Sequence, residues 1–411
     1  MAVNFSVLTL NCWGIPVVSK NRAIRMQAIA KELLESSYDF VCLQEVWAQR
    51  DYMLIKKKTS EVLPYAQYFY SGVVGSGLCI LSKHSIENSL YHRWPLNGYA
   101  HKVHHGDWFA GKGIGLCTFT ANGLRINVYN AHMHAEYCLE GRNKYLAHRV
   151  SQAFDTAQFI YITSAYADVI ICSGDFNTEP GDLCFKILEQ HAGLVDSLVV
   201  ASVVDNDGGM GTNDCVRNSY ACSKLVQAHP KGKRIDHIFF RTSPGFDVRV
   251  SSYSLPFPKR VDGHNCSYSD HEAVSATLAV TPPSPEELNK PISASSGGRK
   301  KEELETMEEA RSTVYNALSV VNGDRRTYSI ASALLFLFLV ASIGDFSQDG
   351  SLLFAIMMVL RGISVLLFVF TVFMATIWNS LERNALLATH EAMKVVLSYR
   401  PDGGNGDEKS C

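Results

Sequence analysis

Residues 169–180 read VIICSGDFNTEP. Val169 to Cys172 form a short apolar, β-branched run of the kind that fills a buried strand, and a polar cluster of Ser173, Asp175 and Asn177 follows at once around Gly174. A carboxylate and an amide placed where a strand gives out occupy the usual position of an α/β active site. The same transition recurs on both sides. Residues 5–10 run into Asn11 (LNCWG), 40–44 into Glu45 (CLQEVW) and 124–129 toward His132 (NAHMHAEY). Asp236 (RIDHIF) lies in the run 235–240, and Asp270 with His271 (SDHEA) precede 273–280. Runs 78–81 and 114–120 also read as strands. Helical spacing links Ile24, Ile29, Leu33 and Leu34, and over 145–162 it links Leu146, Val150, Ala153, Phe154, Ala157 and Ile160. Residues 1–280 are therefore predicted to form one mixed α/β domain, with loops at 201–218 and 254–268.

At 411 residues with 47% hydrophobic content the chain has ample material for a large core, and wholesale disorder is excluded. Residues 1–280 carry 26 Lys+Arg against 25 Asp+Glu, a balance of +1 that argues against a nucleic-acid partner. Eleven cysteines without a CxxC pair, several of them inside apolar runs, read as reduced and buried. No export signal is legible in residues 1–11, so the front is expected in the cytosol. Residues 281–300 (TPPSPEELNKPISASSGGRK) read as a linker, and 301–326 as a juxtamembrane helix with Leu304, Met307, Leu318 and Val321 along one side, a surface for pairing with a second copy. Two apolar blocks, 327–344 and 352–378, predict a transmembrane hairpin, the second interrupted by Arg361, which either starts the span, snorkels or pairs in a bundle. A single span with the other run buried in protein is the alternative. Arg325, Arg326 and Arg383 flank the outer ends, so the positive-inside rule puts the front and the tail, 379–411, in the cytosol. Short spans suit a thin bilayer such as the endoplasmic reticulum or another intracellular membrane.

Carboxylates, amides and histidines at strand ends are what Mg²⁺-dependent phosphodiester chemistry needs, because this hard ion takes oxygen ligands and keeps several waters. The ordered set LNCWG, QE, a histidine after a central strand, GDFN, a hydrophobic-D-hydrophobic strand and SDH resembles the endonuclease/exonuclease/phosphatase superfamily of deoxyribonuclease I. Within it, GSGLCILSKHSI, HHGDWFAGKGIG, NAHMHAEY, YLAHRVSQAF and SGDFNTEP resemble the neutral sphingomyelinases. The resemblance implies a deoxyribonuclease I-like four-layer α/β/β/α sandwich followed by the C-terminal hairpin. It also implies a Mg²⁺-dependent hydrolysis of sphingomyelin to ceramide and phosphocholine, with Mn²⁺ as a substitute ion.

Carried over to this sequence, the resemblance makes Glu45, Asn11 and Asp270 the metal site, and His271 the base that activates water with Asp236 fixing its tautomer. Asp175 orients the water, and Asn177 and a protonated His132 donate to the phosphoryl oxygens. Lys112 and Asp107 resemble a family pair at the active site, against the plainer reading of a solvated ion pair on a hairpin. His148 reads either as a site residue or as a helix-packing one. Trp108 and Phe109, on a loop flanked by glycines, are candidates for lipid contact. Other substrates compatible with the same fold are lyso-phosphocholine lipids, by a phospholipase C reaction, and inositol lipids, by a membrane-tethered phosphatase.

Overall fold

A computed structural model describes residues 2–102, 105–137, 143–205, 210–283, 301–343 and 352–399. Strands β1 (Val3–Asn11), β2 (Phe40–Gln44), β3 (Tyr65–Phe69), β4 (Leu78–Ser82), β10 (Val204–Asp205), β12 (Asp247–Ser254) and β13 (Val274–Thr281) form one sheet in the order β10-β12-β13-β1-β2-β4-β3. Strands β5 (Asn88–Arg93), β6 (Gly113–Ala121), β7 (Leu124–His132), β8 (Val169–Asp175), β9 (Val195–Asp196) and β11 (Asp236–Thr242) form the other, in the order β5-β6-β7-β8-β11-β9.

Period-two alternation decides what lies between the sheets. Phe5 and Val7 of β1, Phe40 and Cys42 of β2, Ile126 and Val128 of β7, Val169 and Ile171 of β8, and Ile238 and Phe240 of β11 share one apolar core. The opposite parity of β1, β2 and β4 (Leu8, Leu10, Val41, Leu43, Cys79, Leu81) packs on Met26, Ile29 and Leu33 of α1 (Arg22–Leu34) and Tyr52 and Ile55 of α2 (Gln49–Lys58). On the second sheet, Tyr129 meets Thr163 of α4 (Leu146–Thr163) at 2.7 Å, and Phe239 meets Phe185 of α5 (Leu183–Ala192) at 5.3 Å between ring centroids. The result is the expected sandwich of helices, sheet, sheet, helices. Strands β3, β5 and β12 and helices α2 and α5 have no counterpart in the periodicity reading.

Followed toward the active-site end of each strand, the same inward parity turns polar. The series runs Thr9 then Asn11, Gln44, Asn130 then His132, and Ser173 then Asp175, with Asp236 opening β11. Gln44 Nε2 donates to Asn130 Oδ1 at 2.8 Å and to Thr9 Oγ1 at 2.9 Å, while Asn130 Nδ2 donates to the carbonyls of Leu43 (2.9 Å) and Cys79 (3.0 Å). This buried amide network ties the two sheets together just below the site and pairs polar groups that would otherwise be costly to bury.

The second unit, Glu308–Tyr399, is helical. The stalk and the first apolar block form one continuous helix, α7 (Lys301–Ala341), because the two segments abut and the single glycine near their junction, Gly323, does not break a helix of this length. Helix α8 (Leu352–Phe373) passes through one π-helical turn, Met374–Trp378, into α9 (Asn379–Ser398). Contacts at Ser332–Thr371 (2.9 Å), Val321–Asn379 (2.6 Å) and Arg311–His390 (3.4 Å) run in opposite directions along the two arms, which makes them antiparallel. Leu318 and Val321, expected to face a second copy, are buried within this unit, and the Val321 carbonyl accepts from Asn379 of α9, a helix where the sequence predicts only a tail. Among the described residues one helix, Leu352–Ser398, is long and apolar enough to cross a membrane, with a mean hydropathy of 2.6 in its most apolar window. The linker over 284–300, residues 344–351 between the apolar blocks and residues 400–411 of the tail lie outside the described residues.

Candidate active site

The polar ends of β1, β2, β7, β8 and β11 meet at one edge of the inter-sheet seam. Asn11 Nδ2 donates to Glu45 Oε1 and to Asp175 Oδ2, both at 3.0 Å, and Asn11 Oδ1 accepts from the Trp13 N–H at 3.0 Å. The asparagine thus turns its nitrogen, not its oxygen, to the carboxylates and bridges them, because its oxygen is already used by the loop. Gly14 is required here: a Cβ would lie 2.3 Å from the Glu45 carbonyl oxygen. Trp13, Glu45 and Asn177 all have positive φ (45°, 55° and 47°), a conformation that side chains other than glycine rarely adopt and that clusters where a site is held rigidly. At Gly174 the reason for glycine is both φ = 147° and a Cβ position 2.0 Å from the Ala131 carbonyl.

His271 Nδ1 lies 2.8 Å from Asp236 Oδ2, and its Nε2 lies 3.9 Å from Asp175 Oδ2. Burial alone would push this imidazole down, but Asp236 and Asp175 outweigh it and hold His271 well above the ordinary histidine range. Burial, reinforced by Asp236, pushes Asp175 up to about 7. Burial raises Asp270 to about 6, with His271 opposing and Glu45 adding to the rise. Ser269 fixes the Asp270–His271 loop by donating from Oγ to the Asn11 carbonyl at 2.6 Å.

A second group centres on Lys112, at the start of β6. Its Nζ lies 2.5 Å from Asp107 Oδ1, 3.0 Å from His132 Nε2 and 3.1 Å from the Met133 carbonyl, which also accepts from Asn177 Nδ2 at 3.0 Å. Both charged partners are buried, so this is no solvated ion pair. Against its burial, the Lys112 ammonium holds Asp107 below the usual carboxylate range. Burial and Lys112 together push His132 well below its ordinary value, and His132 Nε2 is 3.5 Å from Asp175. His132 Nε2 faces the Lys112 ammonium at 3.0 Å, an arrangement that disfavours the expected imidazolium and places the positive charge of this group on Lys112. Trp108 and Phe109 follow Asp107 on a short helix (Asp107–Ala110), half-buried and packed edge to face at 4.8 Å, rather than on an open loop tip. His148 is buried behind the site, its rings meeting Tyr99 and Tyr145 at 4.9 and 5.7 Å, and burial lowers it to about 3.

Two site residues have no sequence signal beyond their place in a helix or loop. Tyr137 donates from its hydroxyl to Asp107 Oδ2 at 2.5 Å while stacking on His105 at 3.9 Å. Arg25, fully buried in α1, donates to the carbonyls of Cys12 (2.7 Å), Trp13 (2.7 Å), Lys20 (2.9 Å) and Tyr268 (3.1 Å) and lies 4.9 Å over the Trp13 ring. It thereby clamps the loop that follows Asn11 to the loop that precedes Asp270. An arginine in the apolar stripe of α1 is the one hint the sequence offers.

Asp175, Asp236 and His271 offer ligand atoms within 4.8 Å of one another, a spacing able to hold a divalent metal ion. A model of the Endonuclease/Exonuclease/phosphatase family matches residues 8–271, which span all of these positions, and the chain belongs to that family. Among curated relatives, a protein of Drosophila melanogaster named "Putative neutral sphingomyelinase" is 38% identical over 97% of this chain and 98% of its own length. The human "Sphingomyelin phosphodiesterase 2" is 41% identical over 68% of this chain and 66% of its own. The beta toxin of Staphylococcus aureus, solved with bound magnesium ions, superposes with a TM-score of 0.52 at 18% identity, over 67% of this chain and 99% of that one, a likeness of fold. The chain is a phosphodiester hydrolase of this family, in the branch of the neutral sphingomyelinases.

Proposed function

We propose that this protein is a Mg²⁺-dependent neutral sphingomyelinase that hydrolyses sphingomyelin to ceramide and phosphocholine by in-line attack of water on phosphorus. The observation that carries the mechanism is the His271–Asp236 pair: Nδ1–H donates to Asp236, which leaves Nε2 free to take a proton from a water held by Asp175. Lys112 and the remaining N–H of the Asn177 amide face the side on which negative charge builds on the phosphoryl oxygens, with Lys112 supplying the charge and neutral His132 and Asp107 fixing its position.

The donor set fits a hard divalent cation. The expected ligands Glu45 and Asp270 are carboxylates, and Asp175 and Asp270 are raised mainly by burial, with Asp236 and Glu45 respectively adding to the rise, a cost that a bound cation relieves. Glu45 and Asp270 would hold Mg²⁺, or Mn²⁺ in its place, with Asn11 tying Glu45 to Asp175. When bound, the ion neutralises charge on the phosphate and on the departing ceramide oxygen.

The substrate class is supported by the names of the relatives, and the membrane setting by the apolar helices. Leu334, Leu337 and Leu366 are 62%, 62% and 72% exposed on helices α7 and α8, and apolar helices without protein cover belong in lipid. In this reading α7 and α8 cross the bilayer as a hairpin and the catalytic unit and tail stay in the cytosol, on the endoplasmic reticulum or another intracellular membrane. A second reading of the head group is supported by the relative from Saccharomyces cerevisiae, named "Inositol phosphosphingolipids phospholipase C" and 33% identical over 68% of this chain. The test is phosphocholine release from mixed micelles of sphingomyelin, phosphatidylcholine or lyso-phosphocholine lipids, and inositol phosphate release from inositol phosphosphingolipid, with Mg²⁺ or EDTA. Mg²⁺-dependent release from sphingomyelin that His271→Ala abolishes is expected. Release from the inositol lipid alone overturns the substrate, and release that persists in EDTA overturns the metal role.

A further inference from the structure

Two loops with uncharged, valine-bearing tips stand on either side of Glu45. The β1–α1 loop contains GIPVVS (14–19) and the β3–β4 loop YSGVVGSG (70–77). Each carries a valine pair in water: Val17 is 104% and Val18 66% exposed, Val73 79% and Val74 52%. Val17 is also held at φ = 71°, which a β-branched residue adopts only under strain. Both loops are fastened to the backbone of the site itself. Gly14 N–H donates to the Glu45 carbonyl and Val46 N–H to the Gly77 carbonyl, each at 2.9 Å, and Val73 N–H donates at 2.9 Å to Phe109, two residues from Asp107. Strands β1, β2 and β4 are neighbours in the sheet, so the two loops and Glu45 share one edge.

We infer that the Val17–Val18 and Val73–Val74 loops are a pair of wedges that enter the acyl region of a zwitterionic phosphocholine bilayer and set Glu45 at the depth of the lipid phosphate. This rests on the sphingomyelinase reading above and extends it to residues outside the reacting centre. Two separate valine pairs are far too small for a protein interface, which needs roughly 800 Å² on each partner. They suit a lipid surface, where every exposed valine that becomes buried changes partitioning by roughly tenfold. The tips GIPVVS and YSGVVGSG carry no charge, and Lys20 alone closes the first loop, so entry rests on the valines and the zwitterionic surface is the one the substrate itself forms. Wedges on either side of Glu45 would draw a lipid head group to the site without extracting the lipid.

An environment-sensitive fluorescent amino acid placed at position 17 or 73 of the full chain, reconstituted in sphingomyelin–phosphatidylcholine vesicles, reads the depth directly. Position 166 is the control: Tyr166 is 81% exposed and precedes β8, at the end of the sheet away from Asp175. Blue-shifted emission quenched by nitroxide on the acyl chains is expected at 17 and 73, and quenching by aqueous iodide at 166. In parallel, the variants Val17→Ser/Val18→Ser and Val73→Ser/Val74→Ser should each lose about tenfold or more on vesicle sphingomyelin and keep wild-type turnover of a monomeric, water-soluble phosphocholine diester. Iodide quenching at 17 and 73, or equal losses on both substrates, overturns the inference. If no phosphocholine ester is turned over, the substrate reading fails while the depth measurement still decides the wedges.

Discussion

Asp236→Asn isolates the role of the buried dyad. Asparagine fills the same volume, and the Asp236 backbone N–H keeps its 3.2 Å bond to Thr212 Oγ1, so the fold should survive with an unchanged melting temperature. The charge is lost: His271 Nδ1 loses a carboxylate at 2.8 Å, and with it the strongest of the influences that raise its basicity. The neutral amide also permits the opposite tautomer, with Nε2 protonated and useless as a base. In a buried dyad of this geometry the loss of charge and tautomer control costs roughly 10³ to 10⁴ in kcat, or about 4 to 5.5 kcal/mol at about 1.36 kcal/mol per decade. The assay is phosphocholine release at saturating Mg²⁺ across a pH series, for Asp236→Asn, His271→Ala and the double variant. A base works once deprotonated, and Asp236 raises the pH at which that happens. The rising limb of the residual activity should therefore move to lower pH in Asp236→Asn, beneath a much lower plateau. The double variant should be no worse than His271→Ala, because the aspartate acts only through the histidine. A loss under about threefold, or losses that multiply in the double variant, would refute the dyad.

Arg25→Met keeps the bulk in α1 but removes the donors to four carbonyls and strands the two buried ones, of Cys12 and Tyr268, and should destabilise the catalytic unit by about 2 to 4 kcal/mol in urea unfolding. Divalent-ion affinity, read by titration calorimetry, should fall with it and be partly recovered by Arg25→Lys; undisturbed ion affinity would show that the clamp does not position the site. On α4, Asp155 is raised by burial from 3.8 to about 7. A raised carboxylate binds its proton more tightly in the folded state, so its stabilising contribution is present below the unfolded value and is lost as pH climbs toward 7. Asp155→Asn should therefore gain thermal stability over wild type progressively between pH 4 and 7 and keep a constant lead above it; a lead independent of pH would contradict the assignment.

What was legible in the sequence was legible for one reason. Where the inward parity of a strand changes from apolar to polar, as from Val128 through Asn130 to His132 or from Ile171 through Ser173 to Asp175, the strand itself announces that its end lines a site. That pattern carries Asn11, His132, Asp175 and Asp236 to one place, and the alternation that buries Phe5 and Val7 also aims Asn11 at Asp175; Glu45 and His271 lie just outside β2 and β13 and were legible only as polar residues at the end of an apolar run. Strands β3, β5 and β12 escaped because edge or near-edge strands bury only part of their surface and keep polar residues on both faces, as the exposed first half of β5 illustrates. The protonation of His132 was out of reach for a different cause: it depends on Lys112, twenty residues earlier on an adjacent strand, and on complete burial, neither of which a motif encodes. Arg25 is the extreme case. Its ligands are backbone carbonyls, which every residue possesses, so no pairing of side-chain types could reveal it. Strand periodicity fixes which side chains face the reaction, whereas the groups that set their charge and hold their loops are defined by the fold alone, and substitution at those positions is the sharper test of how the site is built.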